Sequence, residues 1–276
     1  MQYGIPEIFE YEAEGVVRDL YRDIKYVLKV PIVNFIFRAL ANYPDFLMIG
    51  WEQVRANMLS INSESAATQL RFPDLTAANA YNQFREFYDE NTLNQIKNII
   101  KTFQYVNPKL LLIASAWSES LGNRPIVSGM KDHGTIKPGV LDMLPQINLI
   151  HIPHASCYVQ QLLQDIAKHH QSFDVASDYR ALANFPDFLT LSWSYLKPYL
   201  DTDEYTVMSG RLLKQSITLA HENMPYPVTL NTDQLSTIYS PAEISGIMGL
   251  VLLFQRFLPG LIVEVEYMRR LIEKPL

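Results

Sequence analysis

Asp178 lies in the segment Ala176-Ser177-Asp178-Tyr179, whose counterpart earlier in the same chain, Asn34-Phe35-Ile36-Phe37, carries an isoleucine in its place. A carboxylate present in only one of two matching contexts is a candidate for proton transfer, and equally a candidate helix cap. The match between the two contexts is long. The string Arg-Ala-Leu-Ala-Asn-aromatic-Pro-Asp-Phe-Leu occurs at Arg38–Leu47 and again at Arg180–Leu189, an offset of 142. At that offset Ala13, Val17, Leu20, Asp23, Ile24, Val33 and Trp51 recur as Ala155, Val159, Leu162, Asp165, Ile166, Val175 and Trp193. The chain reads as a fused duplicate. Residues common to both copies read as scaffold, and residues peculiar to one copy mark where function should be sought. A second asymmetry follows when Tyr105-Val106-Asn107-Pro108 is paired with Ile238-Tyr239-Ser240-Pro241 at an offset of 133, which sets Asn107 against Ser240. Asn and Ser before Pro are common N-caps, so residue type alone leaves Asn107 open between capping and chemistry. Ser177 and Asp178 could likewise cap the helix containing Arg180, although copy one manages the same turn with Phe35 and Ile36.

The elements that must position these residues have helical periodicity. Val16, Val17, Leu20, Ile24, Val27 and Leu28 recur at steps of three and four, and Val159, Leu162, Leu163 and Ile166 repeat the pattern. Amphipathic stretches follow around Trp51–Leu59, Leu191–Leu200, Ala80–Phe87, Leu93–Phe103 and Lys109–Leu121. Asn42-Tyr43-Pro44 and Asn184-Phe185-Pro186 read as helix ends, with Asn suited to a left-handed cap. No series of alternating β-branched runs interrupts them, so the expected fold is all-α. The expected organisation is copy one over 1–127, a Gly/Pro-bearing linker over 128–150, and copy two over 151–276, forming a pseudo-dimer with the site between the halves.

Composition narrows the partners. A net charge of −6 with no Lys/Arg run argues against nucleic acid or an anionic membrane. The apolar segment Ile244–Val263 is cut by Gln255, Arg256 and Pro259, and reads as a core helix rather than a membrane span. The opening Met1–Glu7 lacks a basic stretch followed by an apolar one, so no signal peptide is expected. Cys157 is the sole cysteine, which excludes an internal disulfide and suits the reducing cytoplasm.

The chain resembles the group I 2-haloacid dehalogenases, all-α hydrolases of 2-halocarboxylic acids, over nearly its whole length. The resemblance is carried by Asp23-Ile24, Leu28-Lys29-Val30-Pro31, Arg38-Ala39-Leu40-Ala41 and Val106-Asn107-Pro108-Lys109 with Leu110-Leu111-Leu112. It continues in Ser118-Glu119-Ser120, Arg124-Pro125-Ile126, Ser177-Asp178-Tyr179 and Gln255-Arg256-Phe257. It implies that Asp178 is the catalytic base, that Asn107 positions the attacking water, and that Ser177 belongs to the substrate pocket. Water activated by Asp178 would displace the halide with inversion, without a covalent ester and without metal or organic cofactor. A small carboxylic acid is the implied partner, and a homodimer the implied assembly. The pocket departs from the family at two positions: Ile32 replaces a tryptophan, and Phe254 replaces a tyrosine before Gln-Arg-Phe. Phe35 keeps the family's aromatic, and Leu258 joins the expected wall. These changes imply a larger, drier pocket that would admit a longer or non-halogenated acid. They also favour an alternative, a non-catalytic relative that binds a small apolar acid. At ~5 Å and an effective dielectric of ~20, an ionised Asp178 and the substrate carboxylate would repel by roughly 3 kcal/mol. Backbone N–H groups at a helix start near Ser177 are expected to offset this.

Other candidates have plainer readings. Pro153 breaks His151 and His154 as a helical pair, and the adjacent His169 and His170 would point about 100° apart on a helix, so neither pair reads as metal ligands. Arg38 and Arg180 occur in both copies and are expected to pair with Asp23, Asp165 or carbonyls; Arg256 is a weaker carboxylate candidate. Cys157 has no nucleophile's partner at a recognisable spacing.

Overall fold

The computed structural model describes residues 4–274 except 128, 143 and 173. Among them the chain forms twelve α-helices and no strand, only two isolated bridges, so the fold is all-α. Six helices lie before residue 122: α1 (Gly15–Leu28), α2 (Phe35–Leu40), α3 (Pro44–Met58), α4 (Ile61–Arg71), α5 (Tyr81–Phe87) and α6 (Glu90–Leu121). A 3-10 turn at Ile152–His154 leads into the other six: α7 (Cys157–His169), α8 (Ser177–Leu182), α9 (Pro186–Leu200), α10 (Asp203–Asn223), α11 (Thr232–Leu235) and α12 (Pro241–Leu271).

Local rules explain the ends of these elements. Helix α1 buries Tyr21, Ile24, Val27 and Leu28 and stops at Lys29, whose left-handed φ of 66° returns its N–H to the Lys25 carbonyl. Proline at the first position opens α3 and α9. Asn42 and Asn184 do not take the left-handed turn expected of them. Each amide instead donates to the carbonyl three residues back, Ala39 or Ala181, and to a preceding strap, at Pro6 or Asn148. The scaffold bonds recur as the sequence match does. Trp51 Nε1 donates to Asp23 and Trp193 Nε1 to Asp165, both at 2.8 Å.

The long helices correct the expected pairing. The stretches Leu93–Phe103 and Lys109–Leu121 are not separate helices: α6 runs unbroken through Asn107 and Pro108. Proline removes one backbone bond, to the Gln104 carbonyl, and disfavours helical geometry just before it. Nearly continuous burial from Thr102 to Leu121 outweighs that local cost. Asn107 is therefore no N-cap. The helix is capped by Asp89, which accepts from the Thr92 N–H; Ser240 caps α12 in a box with Glu243. Pro108 stands eighteen residues after Glu90, and Pro259 eighteen after Pro241. Counted from these helix starts the two prolines fall at the same position, 151 residues apart, which sets Leu258 rather than Ser240 opposite Asn107. Helix α10 has 21 residues where α4 has 11.

Helices α6 and α12 form the most extensive helix pairing, and the short helices cross onto them. Helix α2 packs against α12, while α8 packs against α6. By length and hydropathy α12 could span a membrane, contrary to the sequence expectation. Its segment 258–268 is nevertheless buried in this fold together with Glu264 and Glu266, as a core helix would be.

Candidate active site

The crossing of α2 and α8 over the long helices leaves a small cavity between them. Helix α2 and its entry supply Asn34, Phe35 and Ile36; α8 and its entry supply Ala176, Ser177 and Asp178. Helix α6 adds Asn107 and Leu110, and α12 adds Phe254, Phe257, Leu258 and Leu261. Ile36 faces the cavity where its mate is Asp178, and Leu258 where its mate is Asn107. Of the seven residues singled out in the sequence, six line this cavity. The seventh, Ile32, is buried but lies in the bend between α1 and α2, outside the lining. Phe35 and Phe254 meet edge to face with centroids 5.3 Å apart, closing the apolar side.

Asp178 is 2% exposed, and Asn107 Nδ2 donates to its Oδ2 at 2.7 Å. Burial pushes the Asp178 carboxyl up to about 7. The bond from Asn107 and one from its own backbone N–H pull the other way, while the negative charge of Glu264 adds to the rise. A carboxyl half-ionised near neutrality can both accept and release a proton there. No Lys or Arg lines the cavity. The Arg38 guanidinium lies one layer behind, its Nη2 donating to Ser177 Oγ at 3.3 Å. Ser177 Oγ thus accepts from behind and has its own proton free.

Arg38 and Arg180 do not pair with Asp23 and Asp165. Both grip Glu7, Arg38 Nε and Arg180 Nη1 each at 2.6 Å, and each also binds a carbonyl, of Val33 and Ile150 respectively. Asp23 pairs instead with Arg55, and Asp165 with Lys197. The N-terminal strap therefore ties α2 to α8 from below. Arg256 is exposed, outside the lining.

Two features were missed. A buried cluster lies behind α8. Glu264 Oε2 accepts from Tyr179 OH at 2.6 Å, and Glu264 Oε1 accepts from Tyr205 OH at 2.7 Å and from His170 Nε2 at 3.0 Å. Burial opposes a charged His170, but the Glu264 carboxylate outweighs it and raises the imidazole pKa. An acidic residue within the otherwise apolar run of α12 was the available signal. The second feature is Asn34, whose mate at the offset of 142 is Ala176. That difference stands in the same aligned segment that revealed Asp178.

Residues 31–179 match the sequence profile of a family described as "Halocarboxylic acid dehydrogenase DehI". A protein of Alcaligenes xylosoxydans xylosoxydans named "2-haloacid dehalogenase, configuration-inverting" is 28% identical over 271 residues, spanning 94% of this chain and 91% of its own. An "(R)-2-haloacid dehalogenase" of Pseudomonas putida is 26% identical over 275 residues, 95% of this chain and 90% of its own. A solved complex of a D-2-haloacid dehalogenase with L-LA superposes with a TM-score of 0.91 at 25% identity, over 99% of this chain and 97% of that one.

Proposed function

The chain belongs to the DehI family, and on that premise we propose that it hydrolyses the carbon–halogen bond of a 2-halocarboxylic acid, with Asp178 as general base. The observation that carries this reading is the hydrogen-bonded pair of Asp178 and Asn107, buried together in an otherwise largely apolar cavity. Asp178 takes a proton from water, the water oxygen attacks the carbon bearing the halogen, and the halide leaves from the opposite face. The products are a 2-hydroxy acid of inverted configuration, a halide ion and a proton. Asn107 holds one carboxylate oxygen of Asp178, which fixes the carboxylate that takes the proton from water. General-base assistance is typically worth ~10²–10⁴-fold, and fixed orientation adds to it.

The two halves, 1–127 and 151–276, act in this reading as copies about a pseudo-twofold axis through the cavity, with one copy's short helix seated on the other's long one. Ser177, Phe35, Phe254 and Leu258 form the substrate's walls.

The test is halide release from both enantiomers of 2-chloropropionate by the purified protein, with Asp178→Asn alongside. Release that vanishes in the variant supports the reading. Halide release that persists undiminished in Asp178→Asn refutes the role of Asp178, and no release from either enantiomer refutes the proposed substrate.

A further inference from the structure

Asn34 carries a polar side chain with no structural duty. It precedes α2 in the N-cap position, yet its side chain makes no capping bond. It is 2% exposed and lines the cavity, and its Oδ1 has no hydrogen-bond partner. No bond from its Nδ2 is found among the described residues either. Buried amides are ordinarily satisfied, and an orphaned one is costly. The other half of the molecule shows that the turn does not need it, because Ala176 starts the equivalent helix α8. An amide retained at that cost, in the wall of the cavity, is explained by a ligand that completes it.

We propose that Asn34 binds the substrate's carboxylate, donating an amide N–H into the cavity; this rests on the halo-acid reading above. The other polar side chains are already committed or insufficient. Asn107 Nδ2 is engaged with Asp178 Oδ2. Ser177 has one free proton, whereas a carboxylate accepts at several positions. No cation lines the cavity, so the substrate's charge has to be met by neutral donors. Nδ2, unlike Oδ1, is not among the fully buried unpartnered atoms, so the donor can meet a ligand as the amide stands. Asn34 would then hold the acid group from α2 while Asp178 attacks from α8, and each half would contribute one polar function to the site.

The experiment is calorimetric titration of the wild type and of Asn34→Ala with L-lactate, an unreactive acid of the product class. Alanine is the residue the other half already uses, so the variant is expected to fold, and its melting curve verifies this. The expected result is Kd raised about 10- to 100-fold, as for loss of a hydrogen bond to a charged group. In turnover of 2-chloropropionate the loss should fall on KM more than on kcat. Asn34→Asp, which puts an anion in the same volume, should bind lactate more weakly still. An unchanged Kd in Asn34→Ala overturns the proposal, as does a wild type that binds no lactate. A loss confined to kcat also overturns it, because the amide would then serve the water or the departing halide. Lactate binding that depends on Asn34, in a protein that releases no halide, would support this contact while refuting the hydrolase reading.

Discussion

Helices α2 and α8 are six residues each, lie at matching points of the chain, pack on matching long helices and are tied to the same Glu7. They differ at the residues that face the cavity and at one that does not, Phe37 against Tyr179. One presents Asn34, Phe35 and Ile36; the other presents Ala176, Ser177 and Asp178. The long helices repeat the contrast, with Asn107 on α6 and Leu258 on α12. Similar frames thus carry different linings. Asp178 on α8 stands beside Asn107 on α6, and Phe35 on α2 beside Phe254 on α12, so the polar pair and the apolar pair each draw on both halves of the chain.

The comparison can be broken hardest at Asp178. Asp178→Asn should reduce halide release by at least ~10²–10⁴-fold, the usual worth of a general base, as read by halide assay at saturating substrate. The same variant should alter stability in a pH-dependent way. The folded-state pKa of Asp178 is raised from 3.8 to about 7, so between these values the unfolded chain binds fewer protons and stability falls as pH rises. The wild type should therefore lose up to roughly 4 kcal/mol between pH 4 and pH 8 relative to Asp178→Asn. Denaturant titrations at the two pH values measure this difference.

Glu7→Gln tests what the halves share. It removes the carboxylate that both buried arginines grip, and breaking such a pair typically costs ~3–5 kcal/mol. Chemical denaturation should show a loss of that order. Asn107→Leu copies the apolar mate onto the polar side. Losing its hydrogen bond should move the Asp178 midpoint above about 7 and lower kcat by about 10²-fold, as read from the pH–rate profile. The smallest effect is expected for Glu264→Gln. Removing a negative charge lowers the Asp178 pKa, so the acid limb of kcat/KM should move to lower pH.

The sequence exposed the all-α fold through its helical period, and the cavity through the difference between Asp178 and Ile36. It misled where a local rule met a tertiary one. Proline before an apolar run reads as a helix start, but burial on both sides of Pro108 carried α6 through it, so Asn107 lies inside a helix and caps nothing. Arg38 and Arg180 were rightly assigned to scaffold, but their partner Glu7 lies 31 and 173 residues away and has no periodic signature. The Glu264–His170 contact spans 94 residues and was equally invisible. Asn34 was legible in the aligned segments, but only a view of its unpartnered amide distinguishes it from a cap.

The central claim is that Asp178 activates water rather than attacking substrate itself. A single-turnover reaction in H₂¹⁸O, with enzyme in excess over 2-chloropropionate, tests it most directly. The account predicts that the hydroxyl of the first-turnover product carries ¹⁸O. Unlabelled first-turnover product, its oxygen drawn from the Asp178 carboxylate, would contradict it.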